Sequence, residues 1–302
     1  MALKQVKNKI IATKKTGQVT KAMEAVSAVK MRKSQERAFT GRPYVKAALR
    51  ILSRIAASPE VSNHPLFKKP AAGKSLLVII TSDKGLAGAV NSAVLKKVDE
   101  IVNKLKGDIS VIAIGRKAVE YKNRMGLQSF GEYVNVSDSV SVDDVEDIAS
   151  AVLKSFEDGS HASVSIIYQN FISTFEQEPV VRRVLPIDPE EIHRMQEGVR
   201  LKKGSTVAQV EPSAKVTDHL IEPSAEEVRQ TLVPQLIRIM VYHALMESKA
   251  SEHSARMVAM KNATDKSKEL IKSLTIKYNK ARQAAITAEV SEITAGVEAM
   301  NG

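Results

Sequence analysis

MVAMKNATDKSKELIKSLTIKYNKARQAAITAEV, residues 257–290, decides how the rest of the chain must be read. Met257, Met260, Thr264, Ser267, Ile271, Leu274, Tyr278, Ala281, Ala285 and Ala288 recur at steps of three and four without a miss. That spacing keeps one helix face turned toward one partner for over four heptads, as in a coiled-coil seam. The seam residues become small toward the end, so a partner helix is expected to approach closely there. From Ser224 to Glu298 the chain has one Pro (Pro234) and one Gly (Gly296). Ser224 with Glu227 forms a capping box at the start of this helix. At the helical rise of 1.5 Å per residue it would be roughly 110 Å long.

The seam needs a partner, and the other end of the chain offers one. Leu3, Val6, Ile10, Thr13, Gly17 and Thr20 follow the same alternation, and Ala22, Val26 and Val29 are read as its continuation. Leu49, Leu52 and Ala56 restore it near the end of a helix spanning about 3–57, with a kink or brief interruption expected at Gly41 and Pro43. Each helix has a single apolar stripe. The economical solution is that the two pair antiparallel, with residues near Met23 beside residues near Arg282.

Between them the period changes. SLLVII (75–80) and ISVIAIG (109–115) read as buried strands, and SVSIIYQNF (163–171) and PVVRRVLPI (179–187) as further strands. Helices are expected over 88–106, 116–125 and 142–157. Strand–helix alternation implies a mainly parallel sheet covered on both faces, with an antiparallel hairpin added last. The expected division is a helix over 1–58, a linker over 59–74, an α/β domain over 75–222 with a polar loop near 188–222, and a helix over 223–302.

Charge separates the parts further. Residues 1–58 hold fourteen Lys and Arg against Glu24 and Glu36, whereas the remainder holds 31 basic and 32 acidic groups. The basic character therefore belongs to the first helix, which must face something acidic or stay solvated. Nucleic acid is one such partner, but the segment has only two aromatics, Phe39 and Tyr44, and no recognised nucleic-acid module. An acidic protein sleeve is another. No apolar run approaches the roughly 20 residues that span a bilayer. With no Cys, disulfides and thiolate metal sites are excluded.

Candidate chemistry is sparse. TSDKGLAGAVN (81–91) follows a strand and opens a helix, the location of a phosphate-binding loop, and a phosphorylated substrate there is one alternative. It lacks the Lys-Ser/Thr of a P-loop and the three-glycine spacing of a dinucleotide fold. The favoured reading is a tight turn in which Gly85 and Gly88 permit close helix–strand packing. His64, His161, His193, His219, His243 and His253 are scattered, with His243 and His253 expected at a seam edge or on the surface. No catalytic, metal or cofactor site is assigned.

KKTGQVTKAMEAVSAVKMRK (14–33), SDKGLAGAVN (82–91), ESKASEHSARMVAMKNATD (247–265) and YNKARQAAITAEVSEI (278–293) resemble the gamma subunit family of rotary ATP synthases, as do RPY (42–44) and IEPS (221–224). Ala87 stands where that family often has Cys, and the absence of a Cys pair sets the chain apart from the redox-regulated chloroplast form. The resemblance implies an antiparallel coiled coil with an inserted Rossmann-like α/β domain. It further implies a non-catalytic rotor shaft inside a hexamer of alternating alpha and beta subunits, contacting the epsilon subunit and the membrane c-subunit ring. By the same carry-over, Arg282, Gln283 and Thr287 match positions touching beta-subunit loops. Lys21, Met23 and Lys30 match the region facing an acidic segment of beta. Nucleic acid is not an implied partner. The helical pattern starts at once after Met1, without a signal-like or transit-like segment, which leads to the expectation of a bacterial protein, peripheral on the cytoplasmic face of the plasma membrane.

Overall fold

A computed structural model describes residues 3–56, 65–68, 73–105, 108–140, 142–188 and 225–301. The elements in chain order are α1 (Leu3–Ala56), β1 (Lys74–Ile80), α2 (Val90–Lys104), β2 (Ile109–Ile114), α3 (Arg116–Met125), β3 (Gln128–Tyr133), α4 (Val142–Glu157), β4 (His161–Phe171), β5 (Gln177–Leu185) and α5 (Ala225–Asn301). A 3-10 turn occupies Pro65–Phe67. They divide into two compact units, Ala28–Ala255 and Met1–Ser27 with Arg256–Gly302. The capping box at Ser224 and Glu227, the IEPS stretch and nearly all of the polar 188–222 segment lie outside the described residues or side chains.

In the larger unit a five-stranded sheet has the order β3-β2-β1-β4-β5. β1 pairs in parallel with β2 and β4, and β3 is parallel to β2. β4 and β5 form the antiparallel hairpin. Alternation along β1 supplies two cores. Leu76, Val78 and Ile80 pack with α4 (Val145, Ile148, Val152) and with Val45 of α1 and Val241 of α5. Leu77 and Ile79 pack with Val94 and Val98 of α2 and Ala118 of α3. With both faces buried, β1 and β2 have no polar face, which is why their sequences are unbroken apolar runs. β3 escaped the sequence reading because it is an edge strand, QSFGEY, whose first three side chains are exposed and which therefore has no apolar run.

Pro43 does not interrupt α1, nor Pro234 α5. Each removes one backbone donor, but beside Pro43 the helix is held by buried Arg42 and Val45.

In the smaller unit the segments of α1 and α5 run antiparallel. Thr20 Oγ1 lies 2.8 Å from Thr264 Oγ1, and a Cβ on Gly17 would sit 3.2 Å from Ser267 Cβ. Three residues back along α1 is three residues forward along α5. By that step Met23 falls opposite Lys261, not Arg282, so the expected register is corrected. Leu3 likewise falls opposite Ala281. The seam is buried or half-buried from Met257 through Ala281, but Ala285 and Ala288 are exposed. They lie past the position facing Leu3, where α1 begins. Their small size is therefore not a packing requirement within the described residues. A second correction concerns α1: Val26 and Val29 are each 57% exposed, and Ala22 is exposed too. The inward stripe passes instead through Met23 and Ser27, then Met31, Ser34 and Ala38 in the larger unit.

Candidate functional site

The loop after β1 was the one candidate for ligand chemistry. Asp83 Oδ1 accepts the backbone N–H of Arg116 (3.1 Å), at the start of α3, and that of Asn135 (3.0 Å), beyond β3. Thr81 Oγ1 accepts the N–H of Ala118 at 2.8 Å. The polar side chains of this loop are thus engaged with the start of α3 and the loop after β3. Gly115 is the glycine this corner requires. Its φ is +87°, and a Cβ there would lie 2.2 Å from the Thr81 carbonyl oxygen. Gly85 and Gly88 meet nothing within 4 Å, so close packing does not explain them; Gly88 has φ +59°, and nothing in the structure requires Gly85.

Polar groups converge elsewhere, where α1 and α5 cross the larger unit. Arg42 and Glu247 are an ion pair whose side chains are 4% and 1% exposed. The Arg42 Nε donates to Glu247 Oε1 at 2.9 Å and its Nη2 to the Phe171 carbonyl at 2.7 Å. The Phe171 N–H returns a bond to Glu247 Oε2 at 2.9 Å. Phe39 stacks on this group, 4.6 Å from the Arg42 guanidinium, with its ring edge-on to Phe171. One closed network thereby ties α1 and α5 to the end of β4. Burial alone would raise the Glu247 carboxyl; His243 and Arg42 outweigh it and hold it below the usual carboxylate range.

A second network lies in the loop after β3. Asp138 accepts from Lys30 Nζ of α1 (2.6 Å) and bonds His253 Nε2 of α5 (2.9 Å). Its carbonyl accepts from Arg37 of α1 (3.2 Å), and the Val136 carbonyl from Lys249 of α5 (2.9 Å). The His253 bond, then Lys30 against the opposing effect of burial, holds the Asp138 carboxyl far below the usual range. His253 is 2% exposed and His243 half-buried, so of the two expected positions, seam edge or surface, neither lies on the surface. Among the described residues no three His, Asp or Glu are grouped as a metal would need.

The six residues singled out by resemblance do not form one cluster. Lys21 and Lys30 are exposed and Met23 is half-buried on α1, with Lys30 already paired to Asp138. Arg282, Gln283 and Thr287 are exposed on α5. Beside them Ile286, Val290, Ile293, Val297 and Met300 form an exposed apolar stripe at steps of four and three. Sequence reasoning missed Arg42, Glu247 and Asp138 as functional groups. The first two stood inside RPY and ESKASEHSAR, and their partnership could not be read from spacing.

Fold and polar networks together define a protein of two long paired helices and a Rossmann-like sheet, in which buried polar chemistry fastens helices to sheet. A family model described as ATP synthase matches residues 2–300, and the chain belongs to that family, the gamma subunits of ATP synthase. These are non-catalytic central rotor shafts. Among solved structures, the chain is similar to one in the Tetrahymena thermophila mitochondrial ATP synthase central stalk and c-ring. Identity there is 26%, with 81% of this chain and 99% of that chain covered and a TM-score of 0.60. It also resembles a chain of the Euglena gracilis mitochondrial ATP synthase rotor in rotational state 1, at 18% identity, covering 94% of this chain and 98% of that chain, TM-score 0.64. In the Euglena OSCP/F1/c-ring structure, rotational state 3, the figures are 20% identity, 99% and 94% coverage, and TM-score 0.67. The two Euglena likenesses establish the fold alone.

Proposed function

We propose that this rotor shaft turns within a hexamer of alternating alpha and beta subunits and drives the beta catalytic sites through successive affinities as a proton-driven c-ring rotates. The observation that carries this reading is the run of α5 beyond Ala281. It has passed the position facing Leu3, the first described residue of α1, yet it keeps an apolar stripe from Ile286 to Met300. Such a stripe is stabilised by being covered, and a sleeve of surrounding subunits covers it without a further helix from this chain. Arg282, Gln283 and Thr287 on this segment would contact beta, and Lys21, Met23 and the +12 helix its acidic moving segment. The neighbours come from structures of central stalk, rotor and c-ring, and the same partners, with epsilon, are assigned here by likeness.

The functional division follows: helices over 1–58 and 223–302, a linker over 59–74, and the α/β domain over 75–222. No described helix is long and apolar enough to cross a membrane. Attachment is therefore assigned to the complex, peripheral on the cytoplasmic face of a bacterial plasma membrane, where it serves ion transport. The test is co-purification. A tagged chain should bring down alpha and beta together with ATPase activity that the free chain lacks; a chain recovered alone from cells expressing all subunits refutes the reading.

A further inference from the structure

We infer that the loop after β3, residues 134–140, is a torsional strap, and that Asp138 is a positioning residue for torque transfer between the sheet and the two terminal helices. The inference rests on the rotor reading above. It is carried by where the loop's contacts fall. On α1 it holds Lys30 and Arg37, one heptad apart on one face; on α5 it holds Lys249 and His253, one turn apart on one face. Each helix is therefore gripped at two points along its length by the same short segment. At its root the loop is fixed by the Asn135 N–H on Asp83, which also receives the Arg116 N–H. A continuous polar path thus runs from the end of β1, through Asp83 and the loop, to both helices.

Apolar contact is non-directional and tolerates a small roll of a helix over a sheet. Hydrogen bonds and ion pairs weaken steeply when bent, so these ties resist rotation of each helix about its own axis. The buried Arg42–Glu247 network is a second such tie, and Gln35 to Thr174, Ser251 to the Gln169 carbonyl and Arg238 to Glu146 are further ones. The strap differs from it in exposure: the Asp138 side chain is 38% exposed and Lys30 45%. Exposed pairs add little to stability. His253 and Lys249 on α5 are buried, so it is the exposed Lys30 arm on α1 that has more to do with angle than with folding.

The chain has no native Cys, so Glu36→Cys on α1 and Glu120→Cys on α3, both exposed, give a unique spin-label pair. The distance distribution would be measured in the assembled complex and in the free chain, for the parent and for Asp138→Ala. Directional contacts set the stiffness, so loss of the strap should broaden the distance distribution relative to the parent's. ATP-driven ion pumping per ATP hydrolysed should fall while hydrolysis itself is retained. A purely structural role would leave the width unchanged, whatever the melting temperature does. Should Asp138→Ala fail to fold, Lys30→Met removes one arm only and decides the matter, since an unchanged width there overturns the strap. Failure of the parent chain to assemble or pump would instead count against the rotor reading, while the width in the free chain still tests the strap.

Discussion

Arg42 of α1 and Asp138 of the loop after β3 are both ion-paired to α5, yet their physics differs. Removing Arg42 would leave the Glu247 carboxylate buried beside the Phe171 N–H and His243. Breaking such a buried pair costs about 3–5 kcal/mol, so Arg42→Ala should lower the unfolding free energy of the chain by that order in a denaturant titration. Asp138 is exposed enough that its contribution is expected to appear as a pH dependence. Its carboxyl is depressed by His253 and Lys30, with Arg37 and Lys249 also facing the loop. A depressed carboxyl stabilises the fold above its unfolded value, near 3.9, and loses that contribution as pH falls through the carboxylate range toward the folded value. The melting temperature of Asp138→Asn should therefore fall short of the parent's at pH 7, and the gap should close on acidification below about 4. A gap independent of pH would remove the charge from the explanation. Asp138 itself carried no signal in the sequence, because a lone Asp in a loop has no period, and its partners lie 108 and 115 residues away.

At the scale of elements, the pairing of α1 with α5 was legible, and its register was not. A three-four repeat fixes which face meets the partner, but it fits the facing repeat equally well one heptad along. Contacts between Thr20 and Thr264 and between Gly17 and Ser267 select one alignment. The separation at Gly17 and Ser267 is within a few tenths of an ångström of the about 3.5–4.5 Å that a disulfide needs between Cβ atoms. Gly17→Cys with Ser267→Cys should thus oxidise within one chain, seen as a mobility shift on a non-reducing gel, whereas Met23→Cys with Arg282→Cys should not. Ala285→Leu tests the same register in another way. Had Ala285 been in the seam, overpacking would cost roughly 1–3 kcal/mol. On the exposed face the change in stability of the free chain should stay within about 0.5 kcal/mol, and a larger loss by thermal melting would restore the seam assignment.

For the whole molecule, folding and assembly make separate demands on α5. Arg282 is exposed and beyond the helix pairing, so Arg282→Ala should leave the melting curve of the free chain unchanged within about 0.5 kcal/mol. In the complex it should lower coupled ATP synthesis, because a contact proposed for torque transfer or site closure is lost. Unfolding of the variant, with normal synthesis by whatever complexes form, would make Arg282 structural and remove it from the proposed interface.

By itself the sequence determined the two long helices, the helices between them and the four strands with apolar runs, since hydrophobic period is a local property that 10–20 consecutive residues express. It also determined that two long helices with single stripes must be paired, and that the basic charge belongs to one of them. Tertiary structure alone decided the register, the edge strand β3, the outward direction of Val26 and Val29, and the exposure of Ala285 and Ala288. It also decided that Asp83 meets the backbone of Arg116 and Asn135, and that Arg42 meets Glu247 across 205 residues. These are contacts between segments far apart in the chain. No spacing within either segment encodes the other's position, so only the folded packing brings such groups within hydrogen-bonding distance.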